Sequence, residues 1–170
     1  RDISNEAGER WALASLYYSW QGERWHSAKN WLSSESACEW EFITCDVVTG
    51  NIQEIVLESN NLVGTIPPEI ALLNTTQSMW LRNNSLSGPL PNEVLGSMPQ
   101  LTILYLDRNQ LTGTISLAIR DNGALSKYDN GHTQPTLFVV IPQQNFSHTI
   151  NSLFFPRTHI QILSFCKTMT

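Results

Sequence analysis

The sequence lacks several features that would assign a function directly. No apolar run approaches the roughly 20 residues that a membrane-spanning helix needs, and no basic segment followed by an apolar stretch marks a signal peptide. G-x-S-x-G, P-loop and H-E-x-x-H motifs are also absent. Because the chain begins with Arg1, we expect it to be a mature form or a fragment.

Positive charge is scarce, because ten lysine and arginine residues face 15 acidic ones and the net charge is -5. No basic cluster stands out, so nucleic-acid binding is disfavoured. Hydrophobic residues make up 41% of the 170 positions and charged residues 15%. This composition predicts one soluble globular domain.

Cysteine is limited to Cys38, Cys45 and Cys166. Two thiols need two further ligands to hold zinc, and His26 is the only histidine before residue 120. The remaining histidines share no metal-ligand spacing; they are His132, His148 and His159. We therefore predict no metal and no cofactor, and we expect Cys166 to be unpaired.

A phrase of about 24 residues recurs three times between residues 52 and 119, and it determines the predicted architecture. It follows the pattern L-x-x-L-x-L-x-x-N-x-L-x-G-x-I-P-x-x-I, with its asparagines at Asn60, Asn84 and Asn109. The copies align Ile52, Ile55, Leu57, Leu62, Gly64, Ile66, Pro67 and Ile70 with Thr76, Met79, Leu81, Leu86, Gly88, Leu90, Pro91 and Val94, and with Leu101, Leu104, Leu106, Leu111, Gly113, Ile115, Ser116 and Ile119.

Each spacing that recurs in the three copies of the phrase has a physical reason. The apolar pair two residues apart, such as Ile55 and Leu57, points into a core that a single repeat cannot enclose. The asparagines stand where the chain leaves the strand, so their amides can satisfy backbone groups of their own and neighbouring repeats. The glycines permit a turn or a close backbone approach, and the prolines suit an extended return segment.

The sequence before the repeats predicts a helical cap. Residues 7–20 carry apolar and aromatic side chains at broadly helical spacing, namely Ala7, Trp11, Ala14, Leu16, Tyr17 and Trp20. Such an element would cover the apolar edge that the first repeat of a solenoid exposes.

Residues 7–119 as a whole resemble the plant-specific class of leucine-rich repeat proteins. The repeats contain G-x-I-P after the strand, and the stretch from Cys38 through Trp40 and Ile43 to Cys45 resembles C-x-W-x-G-I/V-x-C of the N-terminal cap in that class. Phe42 replaces the usual glycine, so the local loop is expected to differ. The resemblance implies a disulfide between Cys38 and Cys45, which would place the chain in an oxidising compartment; two free cytosolic thiols remain the alternative.

The resemblance predicts an α/β fold, a short right-handed leucine-rich repeat solenoid, or horseshoe fragment, with a helical N-terminal cap and a short parallel concave sheet of about three rungs. We divide the chain into a cap at residues 1–51, three plant-type repeats at 52–119 and a divergent C-terminal tail at 120–170.

The strand positions that do not enter the core should line the concave face, where repeat proteins usually bind ligands. Trp80 and Tyr105 would form an aromatic pair on neighbouring rungs that anchors a peptide or stacks on a sugar, or that only stabilises the sheet by cross-strand packing. For the charges we favour pairing of Glu58, Arg82 and Asp107 with one another; the alternative is that Arg82 and Arg108 offer donors to a carboxylate or hydroxyl-rich ligand. The candidate ligand-binding residues are Val56, Glu58, Trp80, Arg82, Tyr105, Asp107 and Arg108.

A catalytic role for this face is disfavoured. Two rungs would place Glu58 and Asp107 roughly 10 Å apart, slightly beyond the roughly 6.5 to 9.5 Å of an inverting glycosidase pair. Arg82 would lie between them, so neither is set up as the protonated acid that such chemistry needs. We predict that the chain is not an enzyme.

Three N-x-S/T triplets begin at Asn74, Asn83 and Asn145. They would accept N-linked glycans if the chain is secreted. A glycan on Asn83 would stand at the edge of the concave face and narrow the approach to it.

The repeat pattern stops after Ile119, and the charge changes with it. Residues 1–119 hold 13 acidic and 6 basic side chains, whereas 120–170 hold 2 acidic and 4 basic. The tail is either a divergent cap, in which residues 137–141 add one more strand, or sequence foreign to the fold, such as a gene-model read-through. We favour the second interpretation.

These observations predict an extracellular or cell-surface, receptor-like recognition module that binds a protein, a peptide or a polysaccharide on its concave face. The alternatives are a structural protein of the cell wall or matrix and an inhibitor of a secreted hydrolase.

Overall fold

The computed structural model describes residues 3–113, 137–140 and 160–163. Two α-helices lie within these ranges, α1 (Ile3–Ser19) and α2 (Asn92–Gly96). Three short 3₁₀ helices span Gly22–Arg24, Ala37–Glu39 and Pro68–Leu72. The strands are β1 (Ile43–Cys45), β2 (Ile52–Val56), β3 (Val63–Gly64), β4 (Ser78–Trp80), β5 (Ser85–Pro89), β6 (Ile103–Tyr105), β7 (Gln110–Thr112), β8 (Leu137–Val140) and β9 (Ile160–Leu163).

The main sheet stacks one strand from each repeat in register. Its order is β1-β2-β4-β6-β8-β9, in which β1 is antiparallel to β2 and every other neighbouring pair is parallel. Ile55 lies opposite Met79, which lies opposite Leu104, so equivalent repeat positions form straight ladders. The leucine-rich repeat solenoid and its parallel sheet are thereby confirmed.

The sheet continues beyond the three predicted rungs at both ends. Strand β1 of the cap covers the β2 edge, with Ile43 opposite Ile55. Strands β8 and β9 extend the other end, where Leu104 lies opposite Val139. The rest of the tail lies outside the described residues, as do Ile115, Ser116 and Ile119 of the third repeat, so the two interpretations of the tail stay predictions.

A second, three-stranded sheet forms where each repeat turns back, in the order β3-β5-β7. The repeat glycines lie at or beside these strands, and Gly64, Gly88 and Gly113 all have positive φ, as their placement in the phrase predicts. Glycine is required most strictly at position 64, because a Cβ atom on Gly64 would lie 2.1 Å from the carbonyl oxygen of Ser19.

The core fills the space between the two sheets, and the repeat leucines and isoleucines are almost completely buried within it. The leucine that follows the main-sheet strand in each repeat is also buried, and these leucines are Leu57, Leu81 and Leu106. The buried apolar repeat residues are Ile52, Ile55, Leu57, Leu62, Ile66, Ile70, Leu73, Met79, Leu81, Leu86, Leu90, Leu95, Met98, Leu101, Leu104, Leu106 and Leu111.

The asparagine ladder joins successive rungs, as the sequence predicts. The side-chain oxygen of Asn84 accepts hydrogen bonds from the backbone N–H groups of Asn60 and Leu62, both 3.0 Å away. Its amide nitrogen donates to the carbonyl oxygens of Leu57 and Leu81. Asn109 makes equivalent bonds with Leu86, Leu81 and Leu106. Asn60 instead bonds to the backbone N–H and carbonyl oxygen of Ser27 in the cap, so each amide ties its own turn to the neighbouring repeat or to the cap.

Helix α1 packs against the first repeat through a face that only partly matches the one that the spacing suggested. Leu16 and Trp20 are buried as expected, but Trp11 is 63% exposed, and Ala12 and Leu13 are buried in its place. The Trp20 indole N–H donates to the carbonyl oxygen of Thr65 at 2.9 Å, which fixes the end of the helix to the repeat turn. The buried face is set by contact with the repeats, which helical spacing alone does not reveal.

The cap loop contains the disulfide that the resemblance implies. Cys38 and Cys45 are bonded, with their Cα atoms 5.6 Å apart. Phe42, at the usual glycine position, keeps a left-handed backbone conformation with φ of 71°. The loop therefore keeps the conformation that suits glycine. Because a bulky residue with positive φ is strained, replacing glycine with Phe42 adds backbone strain without changing the conformation.

Neither α1 nor α2, the two α-helices in the described part of the chain, has the length and apolar character needed to cross a bilayer.

Candidate functional site

Trp80 and Tyr105 lie side by side on the concave sheet, and their rings stack. The ring centroids are 4.4 Å apart and the planes differ by 22°. The two residues are direct partners in the register of β4 and β6, and Val56 is the partner of Trp80 on β2. Both aromatic side chains are partly exposed, so this pair, the aromatic stack, packs across the strands and also faces solvent.

Glu54 fixes the orientation of the Trp80 indole. Its Oε1 atom accepts a hydrogen bond from the Trp80 Nε1–H at 2.9 Å and another from the Ser78 hydroxyl at 3.0 Å. Glu54 is not among the ligand-binding residues that the sequence predicted. The signal that could have found it is the need of a partly buried indole N–H for an acceptor one rung away.

The charged ladder beside the aromatic stack is paired internally. Arg82 Nε lies 3.5 Å from Glu58 Oε1, and Arg82 Nη2 lies 3.6 Å from Asp107 Oδ2. Arg108, whose side chain is 68% exposed, lies 4.0 Å from the same Asp107 oxygen. The structure thus brings all the charged candidate residues together, but it places Arg82 between two carboxylates, so that Arg82 is not a free donor for a ligand carboxylate.

The predicted glycosylation sites are distributed over two faces. Asn83 is exposed at the end of a concave strand, and its amide donates to the Ser59 hydroxyl at 2.8 Å. Asn74 is exposed just after the 3₁₀ helix Pro68–Leu72 on the outer side. Asn145 lies outside the described residues. Glycosylation at all three stays a prediction.

Two cap carboxylates have lowered pKa values, and neither lies on the concave face. The backbone N–H and hydroxyl of Thr49 and the backbone N–H of Val48 lower the pKa of Asp46 by hydrogen bonding. The Ser27 hydroxyl, the Lys29 backbone N–H and the Lys29 charge lower the pKa of Glu41. Both shifts come from hydrogen bonds that organise cap loops.

A shallow groove of about 530 Å³ runs along the outer face of α1 and is remote from the concave sheet. Its walls are Ala7, Arg10, Trp11, Ala14, Tyr18, Leu32 and Trp40. The Arg10 guanidinium lies 5.0 Å from the Trp40 ring centroid and donates to backbone carbonyl oxygens of Ser33 and Glu35. Within residues 3–113 and the strands β8 and β9, no group of three or more metal-ligating side chains comes together.

Comparison with known proteins agrees with the repeats. The Leucine Rich Repeat family model matches residues 51–73 and 100–122, which correspond to the first and third repeats. A probable LRR receptor-like serine/threonine-protein kinase of Arabidopsis thaliana is 32% identical over 77 residues, or 45% of this chain and 8% of that protein. Receptor-like protein 6 of the same plant is 33% identical over 94 residues, or 54% of this chain and 9% of its own length.

The chain therefore corresponds to less than a tenth of the length of these two relatives. Solved structures show the same fold. The structure of the BIR3–SERK2 complex from Arabidopsis thaliana matches 77% of this chain and 69% of that chain, with a TM-score of 0.56 and 28% identity. The LRR ectodomain of the Arabidopsis receptor kinase HAESA, solved with an IDA peptide hormone ligand, matches 72% of this chain and 20% of that chain, with a TM-score of 0.60 and 25% identity.

The fold is accordingly that of leucine-rich repeat ectodomains, and the matched part of the receptor-like kinase is a small fraction of its length. The sequence matches agree with three features of the structure. These are the three repeats with their asparagine ladder, the disulfide-bonded cap and the parallel sheet in register. The chain carries leucine-rich repeats that resemble those of plant receptor-like proteins.

Proposed function

We propose that this chain is the cap-proximal part of a receptor-like, extracellular recognition module, and that it binds a peptide or an extended protein segment on its concave face. The observation that carries the proposal is the aromatic stack of Trp80 and Tyr105, which is partly exposed and held by Glu54. Aromatic side chains with fixed rotamers supply large contact area at low entropic cost, and they dominate binding hot spots.

The relatives are proteins of the class that this proposal describes. Several are receptor-like proteins or receptor kinases, and the HAESA ectodomain was solved with a peptide hormone. The disulfide between Cys38 and Cys45 suits an oxidising compartment. An extracellular or cell-surface location therefore belongs to the same proposal.

The test is selection of a displayed random-peptide library against the whole chain, followed by affinity measurement for the enriched peptides. We expect Trp80→Ala and Tyr105→Ala each to weaken capture at least tenfold, in line with hot-spot losses of about 2 kcal/mol. Trp11→Ala is the matched control, because Trp11 is also an exposed tryptophan but lies on the outer face of α1. Equal capture by all four proteins would exclude the concave aromatic stack as the recognition surface.

One observation favours a structural role instead. The aromatic rings already stack on each other and the charged ladder is paired internally, so the face could serve only to stabilise the sheet. Thermal unfolding of the same variants distinguishes a structural role of the aromatic stack from peptide recognition. A large fall in melting temperature for Trp80→Ala, with no peptide enriched by the unmodified chain, would indicate a wall or matrix scaffold.

A further inference from the structure

The charges of the concave face do not all have partners of opposite sign. Arg82 lies near Glu58 and Asp107, and Arg108 lies near Asp107. Glu54 is the fifth charged side chain of this face, and within the described residues it forms no ion pair. Its recorded contacts are the two neutral donors Trp80 Nε1–H and Ser78 Oγ–H.

Both donors bind the same carboxylate oxygen of Glu54. The hydrogen-bond acceptor capacity of Oε1 is therefore occupied by Trp80 and Ser78, whereas Oε2 has no hydrogen bond from the described residues. Glu54 is partly exposed, so Oε2 can be reached from solvent. The two bonds to Oε1 hold the carboxylate in one orientation, which removes part of the entropic cost of binding a cation there.

A positively charged group at Glu54 would also lie beside the Trp80 ring, because the carboxylate and the indole are in direct contact at 2.9 Å. The contact is at the N–H edge of the indole, so the ring offers the aliphatic stem of a basic side chain an apolar surface rather than a cation–π site. A basic side chain that pairs with Glu54 can therefore also pack its stem against the aromatic stack.

The far side of the aromatic stack has an unused acceptor as well. Among the described residues, Asp107 Oδ1 is buried and has no hydrogen-bond partner, while its Oδ2 faces Arg82 and Arg108. Arg82 Nε has no hydrogen bond from this part of the chain either, but it lies 3.5 Å from Glu58 Oε1, so its charge is compensated. Within the described part of the concave face, the carboxylate without a cationic partner is therefore that of Glu54.

We infer that the ligand of the concave face presents a basic side chain, a guanidinium or an ammonium group, to Glu54 next to the aromatic stack. This inference rests on the proposed recognition function and specifies its ligand. Its polarity is opposite to that of the alternative hypothesis from the sequence, in which Arg82 and Arg108 would offer donors to a ligand carboxylate. The structure uses Arg82 to join two carboxylates of its own chain instead.

The experiment follows the Trp80 indole N–H signal by ¹⁵N–¹H NMR, assigned with Trp80→Phe. Three blocked tripeptides are titrated to about 20 mM: acetyl-Gly-Arg-Gly-amide, its glutamate analogue and its norleucine analogue. We expect the arginine probe alone to shift the signal saturably, and the shift to weaken at 0.5 M salt. Glu54→Gln keeps an acceptor for the indole but loses the charge, so it should weaken the arginine probe at least about fivefold.

Glu93→Gln is the matched control, because Glu93 is an exposed glutamate on α2, away from the concave sheet. It should bind the arginine probe as the unmodified chain does, and dispersed NMR spectra of both variants establish that they are folded. The inference is wrong if the arginine probe leaves the Trp80 signal unmoved, if the glutamate probe shifts it equally, or if Glu54→Gln binds undiminished.

The outcome also distinguishes this inference from the proposed function. Library peptides that need Trp80, together with an arginine probe that does not bind, would leave recognition in place and remove the basic ligand group. An arginine probe that binds through Glu54, with no library peptide captured, would establish the cation site and count against peptide recognition.

Discussion

At the scale of single residues, the asparagines hold the solenoid together through hydrogen bonds rather than through packing. Asn84 accepts two backbone N–H groups and donates to backbone carbonyl oxygens on two rungs. No apolar side chain can replace these bonds, and buried backbone groups without partners cost free energy. The repeat therefore depends on this one side chain at a position where hydrophobicity gives no signal.

We expect Asn84→Ala to lower the free energy of unfolding by about 2 to 4 kcal/mol, because several backbone groups lose their partner. Chemical denaturation under non-reducing conditions measures the change. Gln100→Ala removes an amide of an exposed residue and should stay within about 0.5 kcal/mol of the unmodified chain. Similar losses in both variants would contradict the role of the ladder.

Phe42 provides a second residue-scale prediction, because it occupies a left-handed conformation that glycine adopts without strain. Phe42→Gly and Phe42→Ala both lose the ring, but only alanine keeps a Cβ atom at φ of 71°. We expect the glycine variant to be more stable than the alanine variant by about 1 kcal/mol. The two midpoints of urea unfolding test this, and the opposite order would mean that the loop relaxes.

At the scale of elements, the cap and the first repeat are fitted to each other at close range. The carbonyl oxygen of Ser19, at the end of α1, approaches the Gly64 backbone where a side chain would collide. The Val63 N–H donates to the Trp20 carbonyl oxygen at 3.3 Å beside this point. The glycine of the repeat phrase thus serves both the repeat turn and the docking of the helix.

Gly64→Ala should therefore destabilise the chain by about 2 to 4 kcal/mol, through collision and through its positive φ. Gly8→Ala is the matched control, since Gly8 lies within α1 and a Cβ atom there would meet nothing within 4 Å. Alanine favours helix, so that variant should gain about 1 kcal/mol. Thermal unfolding of the two variants should move in opposite directions, and a common direction would refute the argument.

At the scale of the whole molecule, one buried carboxyl group connects the cap to both ends of the first repeat. Glu9 is fully buried, and its Oε1 accepts hydrogen bonds from the Ile52 backbone N–H at 3.3 Å and from the Thr75 hydroxyl at 2.8 Å. Asn5 donates to the same oxygen. Cap and repeats should unfold as one cooperative unit because this contact spans both.

We expect Glu9→Ala to cost about 2 to 4 kcal/mol, because it leaves buried donors unsatisfied, and to raise amide exchange in β2 and β4 as well as in α1. Hydrogen exchange read by mass spectrometry provides the measurement, with Glu93→Ala as an exposed control. Faster exchange confined to α1 would show that the cap opens by itself.

A second prediction at this scale concerns the compartment. A non-reducing peptide map of the protein from its native source should contain a Cys38–Cys45 peptide and glycans on Asn74 or Asn83, both of which are exposed. Reduced cysteines without any glycan would argue against an extracellular location. Peptides from residues 120–170 in the same map would decide between a genuine tail and a gene-model artefact.

The sequence alone determined the repeat architecture, the buried ladders and the asparagine bonds, because a period of about 24 residues repeats the same local geometry at each rung. The resemblance supplied the pairing of Cys38 with Cys45. The sequence also favoured the pairing of Arg82 with Glu58 and Asp107, which the structure contains. Only the tertiary structure decided which face of α1 is buried, that Phe42 keeps the conformation of a glycine, and that Glu54 holds Trp80. These outcomes depend on distances of a few ångströms between side chains on different rungs, and the repeat pattern places those side chains on one face without selecting their partners.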